Sequence, residues 1–200
     1  MNIIAKSTIT LLVAAGTAMA APQVGQPAPA FTLKDSNGQS HSLADFKGKF
    51  VVLEWLNHGC PFVVKHYDSG NMQKLQKEYT GKDVVWLSVV SSAPGKQGHM
   101  TPGETNQAKA DKGSAATAVL LDEDGTVGKL YDAKVTPELY IVDPEGTLIY
   151  MGAIDDKKST DAADVAGAKN YVKQALDEAI AGKPVSEPTT AAYGCSVKYN

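Results

Sequence analysis

The sequence contains no arginine and only two cysteines, and its charges nearly balance over 200 residues. All 19 basic residues are lysines, so a mechanism that needs a permanently charged, bidentate guanidinium is excluded. A net charge of -3 provides no basic surface for a polyanion, and we predict no nucleic-acid partner. Two cysteines, Cys60 and Cys195, are too few for a disulfide framework or a four-thiolate zinc site. The chain therefore has one bridge, a redox pair or two unrelated thiols.

Long hydrophobic runs are also missing, and the apolar stretch over residues 7–15 is too short for a transmembrane helix of about 20 residues. It follows a short positive start that ends at Lys6. It precedes Ala18-Met19-Ala20, the small-x-small pattern of a signal-peptidase site. We therefore predict a signal peptide over residues 1–20, cleaved near Ala20-Ala21. The mature chain is then periplasmic or secreted, makes no membrane contact after cleavage, and lies where disulfides persist.

The remaining sequence predicts one α/β domain over residues 21–183, followed by a flexible tail over residues 184–200 that carries Cys195. An Asn-Gly turn signal favours an initial hairpin, and β-branched and apolar runs predict the later strands. We expect strands over residues 50–56, 83–90, 118–121, 138–143 and 147–152. Apolar residues at spacings of three and four predict helices from residue 61, from residue 71 after a break, and over residues 103–112, 127–131 and 165–179.

Motifs along the chain occur in an order that resembles the thioredoxin fold. They are the segment GQPAPAFTL at residues 25–33, a strand followed by Cys60-Pro61-Phe62-Val63, and Thr136-Pro137-Glu138 ahead of a hairpin and a closing helix. Together with Gly194-Cys195-Ser196, they are similar to the exported, peroxiredoxin-like (AhpC/TSA-type) redoxin branch of thioredoxin-family proteins. The resemblance implies a single domain with a central mixed β-sheet flanked by helices. It also implies that Cys60 lies at a helix N-terminus and that Thr136 and Pro137 form a cis-proline loop facing it.

Two departures from the family's patterns restrict the chemistry of the site. Val63 stands where thioredoxins have the second cysteine of a Cys-x-x-Cys pair, so a vicinal dithiol is excluded. Leu53 and Asn57 stand at the proline and threonine positions of the peroxiredoxin pattern Pro-x-x-x-Thr-x-x-Cys, and the arginine that completes that site is absent. We expect Asn57 to donate a hydrogen bond in place of the threonine, and His58 or Lys65 to supply positive charge.

Cys60 is the candidate nucleophile on physical grounds as well. Pro61 suits the first turn of a helix, and a thiol at a helix N-terminus lies beside unpaired N–H groups that favour the thiolate. We therefore predict a pKa of Cys60 below the free-thiol value of about 8.5. Cys195 could resolve an oxidised Cys60 by folding back or by reaching it from another subunit. A permanent bridge between the two would contribute about 5 kcal/mol to stability, so a structural role is open too.

Two hypotheses of function follow. In the first, an exported, antioxidant thiol oxidoreductase attacks a peroxide or a protein disulfide through Cys60, and Cys195 or an external thiol reductant resolves the product. In the second, a non-enzymatic binding module of the same fold is stabilised by a Cys60–Cys195 disulfide. Neither needs a cofactor. We also predict no metal site, because His66 lies about 240° round a helix from Cys60. The predicted site comprises Cys60 and Cys195 as catalytic residues, lined by Asn57, His58, Pro61, Thr136 and Pro137.

Overall fold

The computed structural model describes residues 21–200, and the predicted signal peptide lies outside the described residues. The strands are β1 (Thr32–Asp35), β2 (Ser40–Ser42), β3 (Val51–Trp55), β4 (Val85–Val90), β5 (Ala118–Leu121), β6 (Val135–Thr136), β7 (Glu138–Val142), β8 (Leu148–Gly152) and β9 (Cys195–Ser196). The α-helices are α1 (Pro61–Asp68), α2 (Asn71–Thr80), α3 (Pro102–Asp111), α4 (Thr126–Leu130) and α5 (Tyr171–Ile180), and 3-10 helices cover Leu43–Phe46 and Ala162–Gly167. Between residues 21 and 200, no helix has the length and apolar character needed to cross a membrane.

Seven of the strands form one mixed sheet in the order β2-β1-β5-β4-β3-β7-β8. At its centre β3, β4 and β5 run parallel, whereas β7 joins β3, and β1 joins β5, in antiparallel orientation. The carboxyl ends of parallel strands meet at one edge of a sheet. This edge therefore brings the segment after β3, which contains Cys60, beside the loop after β4. The mixed sheet flanked by helices that the resemblance implied is confirmed.

Each face of the sheet buries its own core, because successive residues of a strand face opposite sides. Val52 packs on the side covered by α1, α2 and α5, whereas Val51 and Leu53 pack on the side covered by α4 and the first 3-10 helix. Full burial of one such side chain contributes roughly 1.5–3 kcal/mol. Cys60 belongs to the first of these two cores. The site therefore lies against a packed interior that holds its backbone in place.

The predicted elements agree with the structure except in the last helix. The hairpin at residues 32–42 and the break between α1 and α2 are confirmed, with Gly70 in the left-handed region at φ +74°. The predicted helix over residues 165–179 is wrong at its start. Residues 162–167 form a 3-10 helix instead, and the Asn170 side chain caps α5 by accepting the Lys173 N–H at 2.8 Å. A good N-cap in mid-pattern outweighed the apolar spacing.

Candidate functional site

Cys60 is the residue immediately before helix α1, as predicted. Its backbone is extended, with φ -86° and ψ 123°, and Pro61 occupies the first helical position. The Cys60 carbonyl already accepts the N–H groups of Val63 and Val64 at 2.9 Å, so the helix begins at this residue. The thiol therefore lies at the positive end of the helix dipole, where negative charge is favoured. The side chain is fully buried, so solvent does not compete for this interaction.

Asn57 holds the turn that leads into Cys60. Its backbone carbonyl accepts the Cys60 N–H at 3.0 Å, and its side-chain oxygen accepts the Gly59 N–H at 2.8 Å. Its amide nitrogen donates to the carbonyl of Gln97 at 3.3 Å, and the Gln97 amide donates to the Gly59 carbonyl at 2.9 Å. One donor of the Asn57 amide thus binds the loop after β4, and the expectation that its amide offers a hydrogen bond in place of threonine stays a prediction for the second N–H.

The Thr136–Pro137 peptide bond is cis, as predicted, and its loop lies beside Cys60. The Cys60 thiol donates to the Thr136 carbonyl, with 3.0 Å between sulfur and oxygen. The buried Thr136 hydroxyl has no hydrogen-bond partner among the described residues in its present orientation. The structure thus brings together Cys60, Thr136 and Pro137, which are far apart in the sequence.

Cys195 also lies at this place, because the C-terminal segment is folded against the domain. The expectation of a flexible tail over residues 184–200 is wrong: strand β9 pairs antiparallel with β6, and Cys195 is directly opposite Thr136. Gly194 makes this approach possible. At its φ of +152°, an added Cβ would stand 2.0 Å from the Thr136 carbonyl oxygen. The Pro/Ser/Thr-rich composition of this segment suggested a flexible tail, but its backbone forms hydrogen bonds with the backbone N–H and C=O groups of β6.

The two thiols have pKa values shifted in opposite directions. Burial acts to raise the pKa of Cys60, but hydrogen bonding with Cys195 and the polar groups of Val63 and Thr136 beside it lower it below its ordinary value. Burial, the hydrogen bond to Cys60 and the charge of the Cys60 thiolate raise the pKa of Cys195 to about 11. Of the two thiols, Cys60 is therefore the more easily deprotonated.

Neither of the expected sources of positive charge supplies it. Burial and the nearby Lys112 ammonium lower the pKa of His58 to about 4, so this imidazole is neutral at pH 7, and its ring packs edge-on against Tyr67. Lys65 is fully buried, and its ammonium donates to the Lys157 carbonyl at 2.7 Å. The expectation that His58 or Lys65 supplies charge to Cys60 is therefore wrong, and the thiolate depends on hydrogen bonds and the helix N-terminus.

Several residues that shape the site were not found from the sequence. Tyr193 and Asp155 form a buried hydrogen bond beneath the C-terminal segment, and Glu54 accepts four side-chain hydrogen bonds within the first core. The one available signal was a carboxylate in an otherwise apolar strand, which requires buried donors. Among residues 21–200, no cluster of three or more His, Cys, Asp or Glu side chains is placed to hold a metal ion. His66 instead contacts Asn71 and Tyr193.

Comparison with known proteins places this geometry in a family. The model of the AhpC/TSA family matches residues 24–151. Thioredoxin-like protein YneN of Bacillus subtilis is 31% identical over 145 residues, which cover 72% of this chain and 80% of that protein. Thiol-disulfide oxidoreductase ResA of the same organism is 28% identical over 125 residues, covering 62% of this chain and 64% of ResA.

Solved structures agree with the fold. An uncharacterized conserved protein from Geobacillus kaustophilus is 26% identical, with a TM-score of 0.77 over 89% of this chain and 93% of its own. A hypothetical protein from Sinorhizobium meliloti, 24% identical, superimposes with a TM-score of 0.75 over 90% of this chain and 97% of its own. Thiol-disulfide oxidoreductase chemistry is supported at the level of the family. The chain belongs to the AhpC/TSA family and is a thioredoxin-fold protein.

Proposed function

We propose that this chain is an exported thiol-disulfide oxidoreductase with Cys60 as its nucleophile and Cys195 as its resolving cysteine. The observation that carries the proposal is the position of Cys195 opposite Thr136, whose carbonyl accepts the Cys60 thiol. A cysteine with a lowered pKa next to one with a raised pKa divides the two roles, because the thiolate is the attacking species. The resolving cysteine then comes from the same chain.

The reaction proceeds in two exchanges. The Cys60 thiolate attacks one sulfur of a substrate disulfide, forms a mixed disulfide and releases the other substrate sulfur as a thiolate. Cys195 then attacks the Cys60 sulfur, which forms the Cys60–Cys195 disulfide and breaks the mixed disulfide, and the proton of Cys195 passes to the second substrate sulfur, which leaves as a thiol. Two electrons pass to the substrate. An external thiol reductant returns the protein to its dithiol form by the same exchange in reverse.

Disulfides suit this site better than peroxides. A peroxide site needs donors that stabilise the departing oxygen, but Asn57, at the threonine position, already uses one of its two amide donors on Gln97. The sequence has no arginine to complete such a site, and His58 is uncharged at pH 7. The curated relative ResA carries the words thiol-disulfide oxidoreductase in its name. Protein disulfides are therefore the proposed substrates, and an antioxidant, peroxiredoxin-like reaction with peroxide is the second candidate.

Trapping experiments on cysteine variants test the proposal. The Cys195→Ser protein, treated with a glutathionylated peptide, should accumulate a mixed disulfide on Cys60, whereas the unmodified protein should release the thiol and form Cys60–Cys195. Peptide mapping by mass spectrometry locates both bonds. Hydrogen peroxide at the same concentration serves as the competing substrate, and we expect it to react at least tenfold more slowly. Faster reaction with peroxide, or modification of Cys195 in the Cys60→Ser protein at the rate of Cys60, would contradict the assignment.

The alternative, a binding module stabilised by a permanent bridge, has one observation in its favour, namely the complete burial of Cys60. The reduction potential of the Cys60–Cys195 couple separates the two. Structural disulfides have potentials below roughly -300 mV, whereas catalytic couples lie above this value. We expect a potential above it, and a lower value would favour the module over the enzyme.

Export is proposed from residues 1–20, which the structure does not describe. The supporting observations are the lysine-bearing start, the short apolar stretch and the Ala-x-Ala pattern of the sequence. The protein is then periplasmic or secreted, where protein disulfides persist. N-terminal sequencing of the exported protein should begin at Ala21, and an intact Met1 or Asn2 N-terminus would contradict this part of the proposal.

A further inference from the structure

The segment that carries Cys195 is anchored by a buried hydrogen bond two residues before the cysteine. Tyr193 is only 5% exposed, and its hydroxyl donates to a carboxylate oxygen of Asp155. The same hydroxyl lies 3.3 Å from the Nε2 atom of His66. Buried hydrogen bonds to a charged group are among the stronger ones in proteins. Tyr193 therefore has both a fixed partner and a fixed direction.

Asp155 is itself held in place, so it can act as a rigid anchor. The carboxylate is 2% exposed and lies 3.6 Å from the Lys65 ammonium, which is bound to the Lys157 carbonyl. It also accepts the Lys157 N–H at 3.0 Å. A buried carboxylate beside a buried ammonium keeps its geometry, because separating the two charges in the interior is costly.

The anchor connects the two cysteines through the fold. His66 and Phe62 are on helix α1, which begins directly after Cys60, and the Phe62 ring packs edge-on against Tyr193 at 5.7 Å between centroids. Tyr193 is two residues from Cys195, a distance that the chain spans in about 7 Å. The helix that presents one thiol thus contacts the side chain that fixes the segment of the other.

We propose that Tyr193 is a positioning residue for the resolving step, and that its hydrogen bond to Asp155 holds Cys195 where it attacks a Cys60 mixed disulfide. The inference depends on the proposed function, because it concerns the second exchange of that reaction. Backbone hydrogen bonds hold the chain after Cys195 through Val197 and Lys198, and before it through Pro188 and Thr190, whereas Tyr193 is the side-chain anchor closest to the thiol on its N-terminal side. Displacement of a reacting group by about 1 Å can cost up to 10²-fold in rate, so loss of the anchor should slow this step strongly.

Ellman's reagent separates the two exchanges in one experiment. The Cys60 thiolate attacks the reagent and releases one thionitrobenzoate anion, and Cys195 then attacks the resulting mixed disulfide and releases the second. Stopped-flow absorbance records both releases, and the Cys195→Ser protein, which gives only the first, assigns the phases. In Tyr193→Phe we expect the second phase to be about tenfold slower, whereas the first phase keeps its rate and its pH profile.

Tyr79→Phe is the matched control. The Tyr79 hydroxyl also donates to a carboxylate, that of Asp177, at 2.8 Å, and the Tyr79 ring packs in the same core, but helix α2, which carries it, contains no cysteine. Asp155→Ala removes the same anchor from the other side and should slow the second phase as Tyr193→Phe does. Second-phase rates in these two variants equal to that of Tyr79→Phe would overturn the inference. Absence of a second phase in the unmodified protein would instead refute the proposed function itself, so the two failures are distinguishable.

Discussion

Cys60 has two kinds of hydrogen-bonding neighbour with opposite effects. The Thr136 carbonyl, 3.0 Å from the sulfur, can only accept a hydrogen bond and so favours the protonated thiol. The polar groups of Cys195, Val63 and Thr136 beside the sulfur favour the thiolate. Together these groups outweigh burial, so the pKa of Cys60 falls below its ordinary value.

The identity of the side chain at position 195 should therefore control the ionisation of Cys60. Cys195→Ser retains a donor, whereas Cys195→Ala removes it, so the pKa of Cys60 should be higher in the alanine variant by about one unit. That shift corresponds to about 1.4 kcal/mol, in the range of a hydrogen bond to a charged group. The rate of iodoacetamide alkylation against pH measures both values. In the serine variant the pKa should also lie below about 8.5, and equal pKa values in the two variants would remove Cys195 as a donor.

Single residues with local signals were predictable, and residues paired over long distances were not. Cys60 before Pro61 and Pro137 after Thr136 each carry their own sequence signal, and the structure brings them together as expected. Tyr193 and Asp155 are 38 positions apart, and nothing in the local sequence of either one indicates the other. Pairing of this kind depends on how the C-terminal segment crosses the sheet.

At the level of elements, strand β3 contains a fully buried carboxylate. Glu54 accepts hydrogen bonds from Trp86 at 2.8 Å, Tyr67 at 2.9 Å and Ser88 at 3.0 Å, as well as from Gln76. These donors come from α1, α2 and β4, so one side chain connects the central strands to the helices on this face. A polar network with all its members paired specifies a unique packing of the core.

Glu54→Gln should destabilise the protein, because its amide brings two N–H donors into a site where all four partners donate, whereas a protonated carboxyl group brings only one O–H. We expect a loss of about 2 kcal/mol in the free energy of unfolding. Burial raises the pKa of Glu54 above 4.5, so its contribution is present below that pH and is lost as pH rises through the folded-state pKa. The difference in stability between the unmodified protein and the Glu54→Gln variant should accordingly shrink from pH 4.5 upwards.

Urea unfolding at a series of pH values measures this difference. Ser88→Ala serves as the control, because it removes one donor and leaves the acceptor, and we expect a loss of about 1 kcal/mol without the same pH dependence. A difference that grows with pH would show that the folded state holds Glu54 as a stabilised carboxylate with a lowered pKa.

Periodicity located most elements, and it failed where a local cap or a distant partner decided the outcome. The strands at residues 51–55 and 85–90 follow apolar runs, and the sheet buries both faces there. Residues 162–170 have apolar spacing too, but Asn170 caps α5 and delays its start. Strand β9 has only two residues, and it forms because β6 offers an unpaired edge. No pattern of two residues is sufficient to predict a strand.

For the whole molecule, the C-terminal segment is part of the folded domain in the dithiol state. Met151 on β8 forms backbone hydrogen bonds with Pro188 and Thr190 of this segment, and the Tyr199 hydroxyl donates to the Ala133 carbonyl at 2.8 Å. The segment is thus fixed on both sides of Cys195 before any disulfide forms. Oxidation then closes a covalent loop between two parts of the chain that already lie together.

Oxidation should stabilise the fold by less than loop closure alone would give. Chain entropy predicts about 5 kcal/mol for a loop of this length, but the Cys60–Cys195 disulfide abolishes the hydrogen bonds that stabilise the Cys60 thiolate in the reduced protein. A reduced state stabilised in this way makes a disulfide a stronger oxidant. Because stabilisation of the reduced protein makes the disulfide less favourable in the folded state, the disulfide adds less to the free energy of unfolding than chain entropy alone predicts. We expect an increase of about 1–3 kcal/mol, measured by urea unfolding of the oxidised and reduced forms at pH 7. A gain of about 5 kcal/mol in the free energy of unfolding would indicate a structural disulfide. A smaller gain is expected of a catalytic couple, because such a couple must pass its electrons to a substrate and receive electrons again from a reductant.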